Sequence, residues 1–245
     1  MSEKQLESRE TAQLEKRMFL SQCDLFQRLT SEEIEQLERV TTILSCQPGR
    51  ILYRPGEKGT ALFLLKEGSI QLYHLSTDGR KLIIATLKSG ESCGEMPLIG
   101  QHIHDCFAEV VTTASVYVIT IHDLELLLQH NARIAQALLQ KMGERLIHTE
   151  TQLVDVTFKN VSARLAMLLL QLASPQQDNG KQAMVVNGIS HGELADRLGV
   201  YRETVSSSLR ELKESGAIEL GRKHIVICKL SVLKDLAEAP GKFIR

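Results

Sequence analysis

Arg202, Glu203, Thr204, Ser206, Ser207 and Arg210 crowd into one short run, RETVSSSLR. Between and after them, Val205, Leu209 and Leu212 recur at the spacing of a single helix face. A guanidinium at Arg202 can bond guanine O6 and N7 together, and a carboxylate at Glu203 can accept from a cytosine amino group or orient the arginine. The hydroxyls of Thr204, Ser206 and Ser208, and the charges of Arg210 and Lys213, suit phosphate oxygens. Such a helix holds itself in place by its apolar side and reads duplex DNA with the other. For Arg202 and Glu203 the plain alternative is an exposed ion pair of little energetic weight.

The segment that positions these groups runs from Ile189 to Lys213 and reads as two short helices around a tight turn. Leu194 and Leu198 share a face at i, i+4 spacing, and Gly199 stops the first helix, since glycine adopts the left-handed terminal conformation at little cost. The second helix starts near Tyr201. Ser190 caps the first, with His191 beside it at the expected phosphate level. Downstream, Ala217 to Ile227 reads as a hairpin whose GRK turn offers Arg222 and Lys223 as further charges. An ordinary buried helical hairpin has the same spacing, so the pattern needs support from the rest of the chain.

That support is a family resemblance. Arg202-Glu203-Thr204-Val205-Ser206, then Leu209 and Leu212, Gly216-Ala217-Ile218 and Ile225-Val226-Ile227 resemble the winged helix-turn-helix of the CRP/FNR superfamily. Pro48-Gly49, Pro55-Gly56-Glu57, Phe63 through Ile70 and Gly94-Glu95 resemble the jelly-roll effector domain of the same family. The likeness extends from about Leu25 to Leu236. It implies an α+β chain: an N-terminal β jelly-roll, cyclic-nucleotide-binding-like domain, a long dimerisation helix and a C-terminal winged helix-turn-helix domain. It also implies a homodimer on double-stranded DNA with a palindromic operator, and RNA polymerase as a further partner. The family's frequent third reader, an arginine in RETVxR, is Ser207 here, so the preferred operator is expected to differ from that of better-known relatives.

The effector region departs as well. Cyclic-nucleotide binders of the family hold ribose with a glutamate, and phosphate with an arginine and a hydroxyl residue. Gly94 and Glu95 match the start of that motif, but without a gap the arginine position falls on Asp105 and the hydroxyl position on Cys106. No nearby arginine is evident, and an aspartate repels a phosphodiester. Cyclic AMP binding in the usual mode is therefore not expected. His104 and Cys106, at alternate positions, are haem-iron or zinc ligands by type. A turn with surface histidines and a buried cysteine is the preferred reading, and neither a metal nor any cofactor is expected, with haem held open as the alternative.

Composition narrows the classes. The 245 residues suffice for two domains, and the formal net charge of −1 excludes a uniformly basic DNA-coating protein while leaving room for local basic patches. No run of eighteen apolar residues occurs, so neither a transmembrane helix nor a membrane partner is expected. The charged start, MSEKQLESRETAQLEKR, is no signal peptide, which points to the cytoplasm. Five cysteines are scattered without a CxxC pair, and only Cys23 lies near the N-terminus, so no iron–sulfur cluster is expected. The absence of GxSxG, P-loop and HExxH patterns argues against an enzyme. A sensor module whose main role is ligand binding is the alternative function.

Along the chain, residues 1–20 form a charged lead, 21–125 the jelly roll, 126–158 the dimerisation helix, 159–236 the DNA-binding domain and 237–245 a flexible tail. Thr30 or Ser31 caps a helix before the first strands. Ile134, Leu138, Met142, Leu146 and Leu153 form the apolar stripe assigned to a parallel coiled-coil dimer, the alternative being a helix packed on the sandwich of its own chain. SPQQDNGKQ reads as a polar loop.

Overall fold

The structure, a computed structural model, describes residues 3–98, 102–178, 181–221 and 224–238. The chain divides into two compact units: Met1–His74 with Ile84–Arg145, and Leu75–Ile83 with Leu146–Arg245.

The first unit opens with α1 (Glu3–Gln22) and α2 (Ser31–Val40). Thr30 starts α2 through a reciprocal capping box: Glu33 N–H donates to Thr30 Oγ1 at 3.4 Å, and Thr30 N–H donates to Glu33 Oε2 at 2.6 Å. There follow β1 (Thr42–Cys46), β2 (Ile51–Tyr53), β3 (Ala61–Leu75), β4 (Lys81–Leu87), β5 (Ser92–Cys93), a short 3₁₀ turn (Met96–Leu98) and β6 (Phe107–Thr120). The strands follow the order β1-β6-β3-β4, with β2 on β6 and β5 on β3; β6 pairs antiparallel with β1, β2 and β3, as does β5 with β3. Long β3 and β6 form the spine, and their inward residues divide between two cores. Leu62, Leu64, Tyr117 and Ile119 pack against Leu20, Phe26 and Leu37 from the helices. Leu65, Ile70, Ala108, Val110 and Val116 pack with Cys46, Cys93 and Cys106.

After β6 come α3 (Ile121–His130) and α4 (Ala132–Phe158). The long helix therefore starts at Ala132, not at residue 126. Asn131 takes an extended conformation, and its side-chain oxygen accepts from Arg133 N–H at 3.0 Å, so it ends one helix and opens the next.

The apolar stripe of α4 does not behave as one surface. Ile134 and Leu138 are buried in the helix-side core of their own chain, against the group that includes Leu124 and Phe26. Their assignment to a dimer seam is corrected on that ground. Met142 is half-buried, whereas Leu146 and Leu153 are 60% and 66% exposed. Leu139, Ile147, Val154 and Val156 are exposed with them.

The second unit contains α5 (Val161–Leu172), β7 (Ser174–Asp178), β8 (Lys181–Asn187), α6 (His191–Leu198), α7 (Arg202–Glu214), β9 (Ile218–Gly221), β10 (His224–Ile227) and α8 (Leu230–Glu238). Its sheet runs β7-β8-β10-β9, all antiparallel. The segment read as a polar loop is thus largely a strand pair. One edge of β8 bonds β10, and β7 satisfies the other; Pro175 is tolerated because β7 is an edge strand. Leu165, Leu169, Leu194, Val205, Leu209, Leu212, Ile225 and Leu233 make the core. Helix α8 continues to Glu238, so residues 237 and 238 of the expected tail are helical; residues 239–245 lie outside the described ones.

Because Ile134 belongs to the core of its own chain, Ile134→Ala should lower the unfolding free energy by about 2–5 kcal/mol. Urea denaturation measures this, and sedimentation should show the oligomeric state unchanged.

Candidate nucleic-acid interface and effector pocket

Helix α6 is capped by Ser190, whose hydroxyl oxygen accepts from Glu193 N–H at 3.1 Å. It ends at Gly199, whose φ of 65° lies in the left-handed region, and Val200 N–H returns to the Ala195 carbonyl at 3.1 Å. Arg164 of α5 reaches this end, donating from Nη1 to the Leu198 carbonyl at 3.2 Å. Sequence reading had no means of assigning that role. The turn delivers the chain into α7 with Val205, Leu209 and Leu212 essentially inaccessible to solvent.

Those three anchors fix which face of α7 looks outward. Arg202, Glu203, Ser207 and Arg210 are exposed, and Lys213 lies exposed in the last turn. Thr204 is half-buried. Ser206 is also half-buried and its hydroxyl is engaged: it donates to the Arg202 carbonyl at 3.0 Å and lies 3.0 Å from His191 Nδ1. Ser190, His191 and Ser206 are thus drawn together at the junction of the two helices. Ser208 faces inward and is buried, so it offers nothing to a phosphate. Tyr201 occupies the N-cap position of α7 without a capping side-chain bond. Its hydroxyl donates to Asp78 Oδ2 at 2.7 Å, and the Arg80 guanidinium lies 5.0 Å from its ring centre, both within the second unit. Arg222 and Lys223 lie outside the described residues. At the end of β10, Cys228 is exposed, and burial and Glu219 raise its thiol pKa somewhat.

The effector region lies in the first unit. Gly94 follows β5 with a φ of 93°, and a Cβ there would stand 2.7 Å from the Ala61 carbonyl oxygen, so no other residue fits without movement. It sets the neighbouring Glu95 inside the protein, 2% exposed. Arg145 of α4 meets this carboxylate from the opposite side, with Nη1 3.4 Å from Glu95 Oε1. The same guanidinium places Nη2 3.2 Å from Asp105 Oδ2. The expectation of an aspartate with no arginine near it is therefore corrected. An arginine is present, supplied forty positions away by a helix, and it is engaged by Asp105. Glu95 Oε2 is buried without a hydrogen-bond partner.

The buried thiols and phenol beside it are weak acids. Burial pushes the Cys93 thiol up to about 12, with Glu95 adding to the effect, and burial together with Asp105 does the same for Cys106. Burial likewise raises the Tyr53 hydroxyl. His104 is not a surface residue: it is 4% exposed and stacks on Tyr53 with ring centres 3.7 Å apart. Burial lowers its pKa against the opposing pull of Asp105 and Glu57. Strand β6 begins at Phe107, so His104 and Cys106 precede the strand and are packed groups of the sandwich. Among the described residues no group of three or more His, Cys, Asp or Glu side chains is arranged to hold a metal ion. No described helix is long and apolar enough to cross a membrane.

Comparison with known proteins agrees with both halves of this geometry. Residues 43–131 match the cyclic nucleotide-binding domain family, and residues 163–236 match the Crp-like helix-turn-helix domain family. The chain is 27% identical over 213 residues to the cyclic AMP receptor protein of Thermus thermophilus, spanning 87% of this chain and 96% of the relative. It is 24% identical to a CRP-like cAMP-activated global transcriptional regulator of Mycobacterium tuberculosis, over 85% of this chain and 93% of that protein. Among solved structures, a CRP/FNR-family transcriptional regulator from Thermus thermophilus superposes with a TM-score of 0.60 at 28% identity, covering 82% of this chain and all of that one. The c-di-GMP responsive regulator CLP of Xanthomonas campestris shares the fold, with a TM-score of 0.71 at 23% identity and coverage of 82% and 100%.

The buried imidazole of His104 makes stability sensitive to acid. Its folded-state pKa lies below the ordinary 6.5, so the unfolded chain takes up a proton first and stability is lost as pH falls below that value. His104→Phe, which keeps a ring on Tyr53, should show a smaller stability difference between about pH 7.5 and about pH 5.5 than the parent in urea titrations.

Proposed function

The chain belongs to the CRP/FNR superfamily of transcription regulators, and from that premise we propose that it binds a palindromic operator as a homodimer, reading each half-site with α7. The observation that carries this reading is the division of α7. Val205, Leu209 and Leu212 are locked into the core, which leaves Arg202, Glu203, Ser207 and Arg210 projecting on one exposed face. Arg202 is the base reader, suited to a guanine edge, and Glu203 accepts from a cytosine amino group or steadies the arginine. Arg210 and Lys213 serve phosphates, as does His191 beside the capped start of α6. Ser207 reaches less far than an arginine would, so the operator departs from that of relatives with the longer side chain. The protein works in the cytoplasm as a regulator with no catalytic step, and RNA polymerase is its further partner.

Dimerisation is assigned to the distal part of α4. Leu139, Met142, Leu146, Thr149, Leu153 and Val156 alternate at three and four residues, the spacing of a coiled-coil seam. Four of these, Leu139, Leu146, Leu153 and Val156, are more than half exposed in the single chain, which supports a second helix as their cover. The signal is not cyclic AMP bound in the usual mode, since the guanidinium nearest Glu95 is already engaged by Asp105.

Arg202→Ala should cost roughly 1–3 kcal/mol at the specific site and relax preference at one base pair per half-site. Binding titrations against a selected operator and its single-base variants check this; unchanged affinity and selectivity would show that α7 is not the reader. Leu146→Glu with Leu153→Glu should yield monomers by sedimentation, because like charges would face each other in a dry seam, and operator affinity should fall with it.

A further inference from the structure

Glu95 is buried to 2% exposure with one carboxylate oxygen unpartnered. A buried carboxylate oxygen without a donor carries a desolvation cost. The charges around it do not balance either. One guanidinium, Arg145, faces two carboxylates, Glu95 and Asp105, which leaves the trio with one net negative charge. Lys141 is engaged elsewhere, 3.2 Å from Asp24 and donating to the Ser92 carbonyl at 2.9 Å. The nearby thiols, Cys93 and Cys106, stay protonated and add no charge of either sign. The Asp105 and Arg145 side chains of the cluster are 40% and 32% exposed.

We propose that this cluster is a binding site for a small organic cation, a primary ammonium that donates to the unpartnered oxygen of Glu95 and neutralises the Glu95–Asp105–Arg145 group. An ammonium brings three donors on one compact charge, which fits a carboxylate oxygen that lacks any. An anion fits badly. It would have to displace Asp105 from Arg145 and then sit against Glu95. The cation also competes with Arg145 for both carboxylates, and so acts on α4 at the position next to Leu146 of its exposed seam. This inference deepens the reading of the sandwich as the sensing half of the regulator, but its test requires no DNA.

The experiment is a melting titration of the full-length protein at constant ionic strength with ethanolamine, putrescine, ethylene glycol and cyclic AMP. The expected result is a saturable rise of a few degrees with at least one of the two amines, and none with the neutral glycol or the anionic nucleotide. Glu95→Gln should weaken the amine response at least tenfold. If that variant does not fold, Asp105→Asn, at a half-exposed position, should weaken it several-fold. The proposal is overturned by absence of any amine response, by an equal response to ethylene glycol, by a response to cyclic AMP, or by an amine response that survives in the folded variants. Loss of operator binding by itself would bear on α7, not on this cluster.

Discussion

A helix of 27 residues has more apolar surface than the sheet beside its first turns can cover. That constraint governs much of the molecule. The proximal turns of α4 spend their hydrophobic side on their own chain through Ile134 and Leu138. From Leu146 onward the same helix has large side chains left in water. Exposed apolar surface of this extent marks an interaction site in a stable protein. One helix therefore completes the core of the first unit at one end and leaves apolar side chains uncovered at the other.

Arg145 sits at the changeover. It is the last residue of the first unit and the position immediately before Leu146. Its two ion pairs tie the helix to the loops after β5 and before β6. The pairs are only partly exposed, so they are screened less than a surface pair. Removing either carboxylate's charge changes what Arg145 holds, without touching any residue of the DNA-facing helix. A regulator needs that kind of separation between where a signal is felt and where it is read.

The recognition unit was legible in the sequence because its determinants are local. Ser190, Gly199 and the Val205–Leu209–Leu212 stripe act within a few positions of where they stand, so spacing alone conveys both helices and the turn. The cluster around Glu95 was half legible. Gly94, Glu95 and Asp105 could be placed, but Arg145 pairs with Glu95 and Asp105 across fifty and forty positions, and no local pattern announces such a partner. The α4 stripe failed in a different way. Ile134 and Leu153 have the same residue character and the same period, and only the presence or absence of a covering neighbour tells a core position from a seam. Strand β7 was missed because it is polar and gains its place from the free edge of β8 rather than from hydrophobic alternation.

The distribution of sulfur has a practical consequence. Cys23, Cys46, Cys93 and Cys106 are buried, while Cys228 stands exposed at the end of β10, beside the wing. Thiolate formation and solvent access decide alkylation, so a mildly alkaline maleimide reaction selects Cys228 in the unmodified chain. A fluorophore introduced there sits on the half of the protein that meets DNA. It reports operator engagement by anisotropy, with no engineered cysteine and no disturbance of the three cores.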